Sequence, residues 1–159
     1  MRVAIFSEDA FGPRFFVRLF DRLHQWRVIR QGTYLAKTGK YPKCNPKLGR
    51  MVGAALSSFD RVVVVVDAEG QDEDMTERRT KSHVRRQDLA ETRIVVLPYE
   101  IEEWICASMN LPLHGSKPSE ILRSRRQYEK YQLPTYAERL DLRRLKRLPS
   151  FRKFLIALA

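Results

Sequence analysis

Residues 61–70 read Arg-Val-Val-Val-Val-Val-Asp-Ala-Glu-Gly, and no other stretch constrains the fold as strongly. Five consecutive valines leave no polar alternation, so both faces of their strand must be covered, as in the middle of a parallel sheet under helices. In open α/β sheets the carboxyl ends of the strands border the ligand crevice. That end here carries Asp67, Glu69 and Gly70, with Asp72, Glu73 and Asp74 beyond, which makes it the first site candidate. The alternative is an acidic loop that merely solvates the end of a buried strand.

The rest of the chain alternates around this strand. Residues 2–6 form a short apolar strand that ends at Ser7, Glu8 and Asp9. Gly12 and Pro13 suit a turn and a first helical position, and Phe16, Leu19, Phe20 and Leu23 recur at helical spacing to about Trp26. A second strand is expected over 27–36, then a basic loop over 37–47, where Lys37, Lys40, Lys43 and Lys47 stand without an acidic neighbour. Those lysines suit phosphates, although the Gly-rich pattern of a nucleotide loop is missing. Leu48, Met51, Val52 and Ala55 give the next helical stripe. Residues 77–89 are a charged helix candidate that covers little core, expected to be weakly held or ordered by a ligand.

A fourth strand spans 92–97, and Glu100, Glu102, Glu103 and Trp104 follow it. With a helix starting near Glu100, positions 100 and 103 share a face while Glu102 points away. Acids in a first turn also suit the helix dipole without any chemistry.

The expected fold is therefore α/β: a Rossmann-like three-layer sandwich with a mostly parallel four-stranded central sheet over 1–110, and a basic helical extension over 111–159 packed on the same domain. Three of the four strands end in carboxylates. If those strands are neighbours the acids converge, and such a cluster needs a cation or bound protons. Oxygen donors without a convincing His or Cys partner suit Mg²⁺ or Mn²⁺ better than zinc.

The chain carries a formal charge of +11. From Lys117 onward twelve basic residues face four acidic ones. Clustering of this kind fits a nucleic-acid phosphate track, with Arg123, Arg125, Arg126, Arg143, Arg144 and Arg147 as its candidate contacts; a basic solvated face is the plainer alternative. Cys44 and Cys106 follow no metal or disulfide spacing. No apolar run approaches the roughly 18 residues of a membrane span, and the chain opens on a strand, not a leader, so a cytoplasmic protein without a membrane partner is expected. A homodimer or a partner protein stays open.

The order of these acids resembles the Toprim fold, the metal-binding domain of topoisomerases, primases and OLD-type nucleases: Glu8 after the first strand, Asp67-Ala68-Glu69 after the third, more acids after the fourth. More closely, Glu100-Ile101-Glu102-Glu103-Trp104-Ile105 resembles the Glu-Leu-Glu-Ala-Trp-Leu run of the Toprim-like family known as domain of unknown function DUF4276. Lys117-Pro118-Ser119-Glu120-Ile121-Leu122 and the closing Ser150-Phe151-Arg152-Lys153-Phe154 echo its later segments. The resemblance covers most of the chain through short motifs whose order and spacing agree.

It implies that Glu8 is the acid or base of phosphoryl chemistry and that Asp67 and Glu69 hold Mg²⁺, joined by Glu102. Asp9, Asp72, Glu100 and Glu103 stand as additional acids, and Lys40 or Lys43 would offset developing charge. The chain departs from the family pattern in two places. Glu69 fills the second position of Asp-x-Asp, and Ser108 stands where an aspartate is expected. The expected activity is metal-assisted phosphodiester cleavage in DNA or RNA. Two other readings compete: a non-catalytic basic nucleic-acid-binding module, and a receiver-like phosphoacceptor domain, for which the sequence offers no fifth strand to deliver a lysine.

Overall fold

The computed structural model describes residues 1–43 and 45–159; Cys44 lies outside them. Four parallel strands, β1 (Arg2–Ser7), β2 (Tyr34–Lys40), β3 (Arg61–Asp67) and β4 (Thr92–Leu97), form one sheet in the order β2-β1-β3-β4. Helices α1 (Gly12–Gln25), α2 (Lys47–Leu56) and α3 (Glu73–Ser82) connect them. Helices α4 (Glu102–Ser108), α5 (Pro118–Arg126), α6 (Leu133–Tyr136), α7 (Leu142–Leu145) and α8 (Pro149–Ala157) follow β4. The protein is an α/β three-layer sandwich of Rossmann-like form, with helices on both faces of an all-parallel sheet. Among the described residues there is no fifth strand.

The valine run does what its composition requires. Val62 to Val66 are each at most 1% exposed, and they divide between the two faces with period two. Val63 and Val65 join Val3, Ile5, Val95 and Leu97 beneath α1, α4 and α8, whereas Val62 and Val64 join Ala4 and Phe6 against Leu48, Val52 and Ala55 of α2. At ~1.5–3 kcal/mol for each buried side chain, the run contributes on the order of 10 kcal/mol before ordering entropy is subtracted.

The C-terminal helices belong to the same core. Trp104 is fully buried, and its Nε1 donates to Ser150 Oγ at 3.0 Å; that hydroxyl in turn donates to Glu103 Oε1 at 2.9 Å. Phe151 stacks edge-on against the Trp104 ring, centroids 5.0 Å apart. Arg61 fastens the end of the chain by donating to the Ala157 carbonyl at 3.2 Å and to that of Ala159.

Several boundaries differ from the sequence reading. The second strand begins at Tyr34, so Lys37 and Lys40 lie in β2 and not in a loop. Residues 27–33 turn instead, with Arg27 at φ 52° and the N-terminal ammonium donating to the Gly32 carbonyl at 2.6 Å. As an edge strand β2 is largely exposed, which erased the apolar pattern that marks β3. The charged helix begins at Glu73, earlier than expected, because the Asp72 carboxylate accepts from Met75 N at 2.7 Å and caps it. Its only buried residues are Thr76 and Thr80, whose hydroxyls donate to the carbonyls four residues back. Within the C-terminal extension two short helices, α6 and α7, are separated where Asp141 caps the second.

Candidate functional site

Strands β1 and β3 are neighbours in register, Ser7 opposite Val65, so the residues that leave their carboxyl ends must meet. Glu8 Oε1 accepts the backbone N–H of Asp67 at 3.0 Å and the Tyr41 hydroxyl at 3.5 Å. Lys43 reaches in from the segment after β2: its Nζ donates to the Asp67 carbonyl at 2.6 Å, 3.9 Å from Glu8 Oε2 and 3.5 Å from Glu69 Oε2. The turn after β3 is laced to the turn after β4 by Ala68 N–H on the Leu97 carbonyl (2.9 Å) and Gly70 N–H on that of Pro98 (2.8 Å). This turn holds Glu69 at φ 52°, a left-handed conformation that costs a non-glycine residue ~1 kcal/mol or more.

A second group of acids surrounds Lys130. Its Nζ lies 2.6 Å from Asp9 Oδ2, 2.7 Å from Glu102 Oε1 and 3.8 Å from Glu100 Oε2. Glu102 is fully buried; the Tyr128 hydroxyl donates to its Oε1 at 2.9 Å, and its Oε2 has no hydrogen-bond partner among the described residues. Glu100 Oε1 accepts the Ser119 backbone N–H at 2.8 Å at the start of α5, and Lys117 Nζ lies 3.7 Å from Oε2.

The two groups share one electrostatic field. Burial, followed by the charges of Glu8, Glu102 and Glu100, pushes the Asp67 carboxyl up from 3.8 to about 8, against the opposing pull of Lys130. Glu8 is raised chiefly by burial, although the Asp67 N–H and Lys43 pull it down. Burial and Glu100 raise Glu102. Burial lowers the tendency of Lys130 to hold its proton, but Glu102 and Asp9 overcome it and leave the ammonium more firmly protonated than an ordinary lysine. Asp67, held at about 8, thus keeps at neutral pH a proton that an isolated carboxyl would have released.

The structure therefore brings Glu8, Asp67 and Glu102 into one field, with Asp9 and Glu100 at its Lys130 side. Glu69 is at the rim, its side chain 60% exposed and paired with Lys43. Three additional acids have structural work instead. Asp72 is the cap of α3, and Glu100 accepts the Ser119 amide in the first turn of α5 while facing Lys130. Glu103 turns away to Ser150 and to the Tyr99 N–H at 3.2 Å; burial pushes it up to about 7. The expected pairing of positions 100 and 103 on one face is corrected, because α4 starts at Glu102, Glu100 lies in the preceding turn, and it is Glu100 with Glu102 that meet at Lys130.

The basic residues are more dispersed. Arg123, Arg125, Arg126, Arg143, Arg144 and Arg147 are all exposed. Arg144 also donates to the Ser108 carbonyl at 2.9 Å, and Ser108 Oγ accepts from Asp141 N–H, so position 108 joins α4 to α7. Lys40 is exposed at the end of β2. Among the tyrosines of this region, Tyr128 and Tyr136 are buried and meet edge-on, whereas Tyr131 is exposed.

Sequence reasoning missed Lys130 and Tyr128. Lys130 is 121 residues from Asp9, in a segment that offers only a diffuse basic excess, and no local spacing marks it.

Among the described residues no three His, Cys, Asp or Glu side chains are already gathered as a metal-ligand set. The donor chemistry nonetheless fits a hard divalent cation. The donors are carboxylate oxygens, Asp67 carries a proton that a cation would displace, and Glu102 Oε2 is a buried oxygen in want of a partner. Comparison with protein-family models, with curated proteins and with solved structures gives no match to this chain.

Proposed function

We propose that this protein is a divalent-metal-dependent phosphodiesterase acting on nucleic acid, a Toprim-like nuclease. The observation that carries the reading is the Glu8–Asp67 contact: the Glu8 carboxylate accepts the Asp67 backbone N–H at 3.0 Å, so two partly buried acids, both raised above their ordinary values, leave the adjoining carboxyl ends of the two central strands. Asp67 and Glu8 would hold Mg²⁺ or Mn²⁺, with Glu102 Oε2 beside them; when bound, the ion supplies Lewis-acid polarisation of a phosphoryl oxygen and a more acidic water.

The chain's own groups supply the rest. Glu8, its carboxyl raised above the ordinary glutamate value by burial, would be the group that exchanges a proton with the attacking water. Lys43 Nζ, about one-third exposed, sits over Glu8 and Glu69, where it can meet a phosphate oxygen and offset charge as it develops. The exposed arginines of α5 and of the α7 region would hold the strand by its backbone, without sequence readout.

The test is cleavage of labelled DNA and RNA oligonucleotides with and without Mg²⁺ or Mn²⁺. Glu8→Gln and Asp67→Ala should abolish metal-dependent product while the circular dichroism spectrum and low-salt affinity stay nearly intact. Unchanged cleavage by Asp67→Ala refutes the reading. The other reading is a non-catalytic binding module, favoured by the ammonium groups of Lys43 and Lys130, which already offset the acids. Binding that falls steeply with salt, with no metal-dependent product, identifies it.

A further inference from the structure

We infer that Lys130 is a tethered cation that occupies the second half of the acidic cluster, so that the site takes one divalent ion and not two. The inference rests on the phosphodiesterase reading and deepens it by fixing how many ions that site holds.

The two lysines differ in how they meet the acids. Lys43 makes its one short bond to a backbone carbonyl, and it stands 3.5 Å or more from either carboxylate. Its side chain extends from an exposed segment and can swing aside. Lys130 makes two short contacts to carboxylate oxygens, 2.6 Å to Asp9 and 2.7 Å to Glu102, with Glu100 at 3.8 Å as a third. Those three acids leave β1 and β4 and are themselves 10%, 0% and 5% exposed in their side chains. Buried carboxylates of this kind need a counter-charge, and removing one partner of such a group is strongly unfavourable. Lys130 meets that need at the place where a second hard ion would find its oxygens.

The cluster is thereby divided. Glu102 Oε1 is taken by Lys130 and Tyr128, whereas Oε2 is buried and without a partner among the described residues. That side is left for the exchangeable ion. The C-terminal extension thus contributes a charge to the site as well as packing to the core, and Lys130 acts as a positioning residue for Asp9, Glu100 and Glu102.

The experiment counts Mn²⁺ bound per chain by electron paramagnetic resonance of free Mn²⁺, on the full chain at pH 8. The wild type should bind one ion, and Lys130→Met should bind two, because the vacated carboxylates accept a second. Lys130→Arg, which keeps the charge, should return the count to one, and millimolar Mn²⁺ should raise the melting temperature of Lys130→Met more than that of the wild type. Two ions in the wild type, or one in a folded Lys130→Met, overturn the inference while leaving the phosphodiesterase reading standing. No bound ion in the wild type removes that reading itself. Should Lys130→Met fail to fold even in Mn²⁺, Asp9→Asn decides: it keeps the ammonium and should keep the count at one, whereas two ions there contradict the assignment.

Discussion

Asp67→Asn should stabilise the metal-free protein, and by an amount that depends on pH. The native Asp67 carboxyl is held at about 8, its ordinary value being 3.8, because burial and the charges of Glu8, Glu102 and Glu100 oppose ionisation. Between those two values the unfolded chain releases a proton that the native chain retains. The stability contribution is fully present below pH 3.8 and is lost progressively as pH rises toward 8, after which it is constant. At about 1.4 kcal/mol per tenfold change in proton affinity the ceiling is ~6 kcal/mol. Asp67 is only partly buried, and water screens such sites, so ~2–3 kcal/mol is the expected effect. Asparagine removes the ionisation. Urea unfolding in EDTA should show equal stabilities near pH 4 and a growing advantage for the variant up to pH 8, at constant m-value. Saturating Mg²⁺ should cancel the advantage by stabilising only the wild type. A variant that is equal to or weaker than the wild type at pH 8 would refute the account of the field around Asp67.

Two further predictions concern packing. Ser150→Ala leaves Trp104 Nε1 and Glu103 Oε1 without their shared hydroxyl, so it should cost ~1–3 kcal/mol in urea unfolding and leave the Mn²⁺ count unchanged. Gly49→Ala should cost more than Gly53→Ala in thermal melts, ~2 kcal/mol against less than ~1, because a Cβ at position 49 would meet the His83 backbone carbonyl at 2.5 Å, whereas at position 53 it meets the movable end of Arg85.

How far the fold could be read from the chain followed burial. β3 and β4 are covered on both faces, so their apolar runs bound them correctly, whereas β2 is an exposed edge whose Lys37 and Lys40 read as loop. The meeting of Glu8 with Asp67 was legible because it depends only on which strand ends adjoin. The role of each acid after β4 was not, since one residue of uncertainty in where α4 starts turns a carboxylate from one face to another. That shift separates Glu103, which serves the Trp104–Ser150 network, from Glu102 in the cluster. The two motif segments built on Glu103-Trp104 and Ser150-Phe151 touch each other, so part of their pattern reflects core packing and not catalysis. Lys130 lay beyond reach because a lysine in a basic region looks like any other until the fold sets it against Asp9, Glu100 and Glu102.

The most direct test is a crystal structure in millimolar Mn²⁺ with anomalous data. The account predicts one peak per chain among the carboxylates of Glu8, Asp67 and Glu102, with Lys130 Nζ still bonded to Asp9. No peak among those three side chains at saturating Mn²⁺ would contradict it.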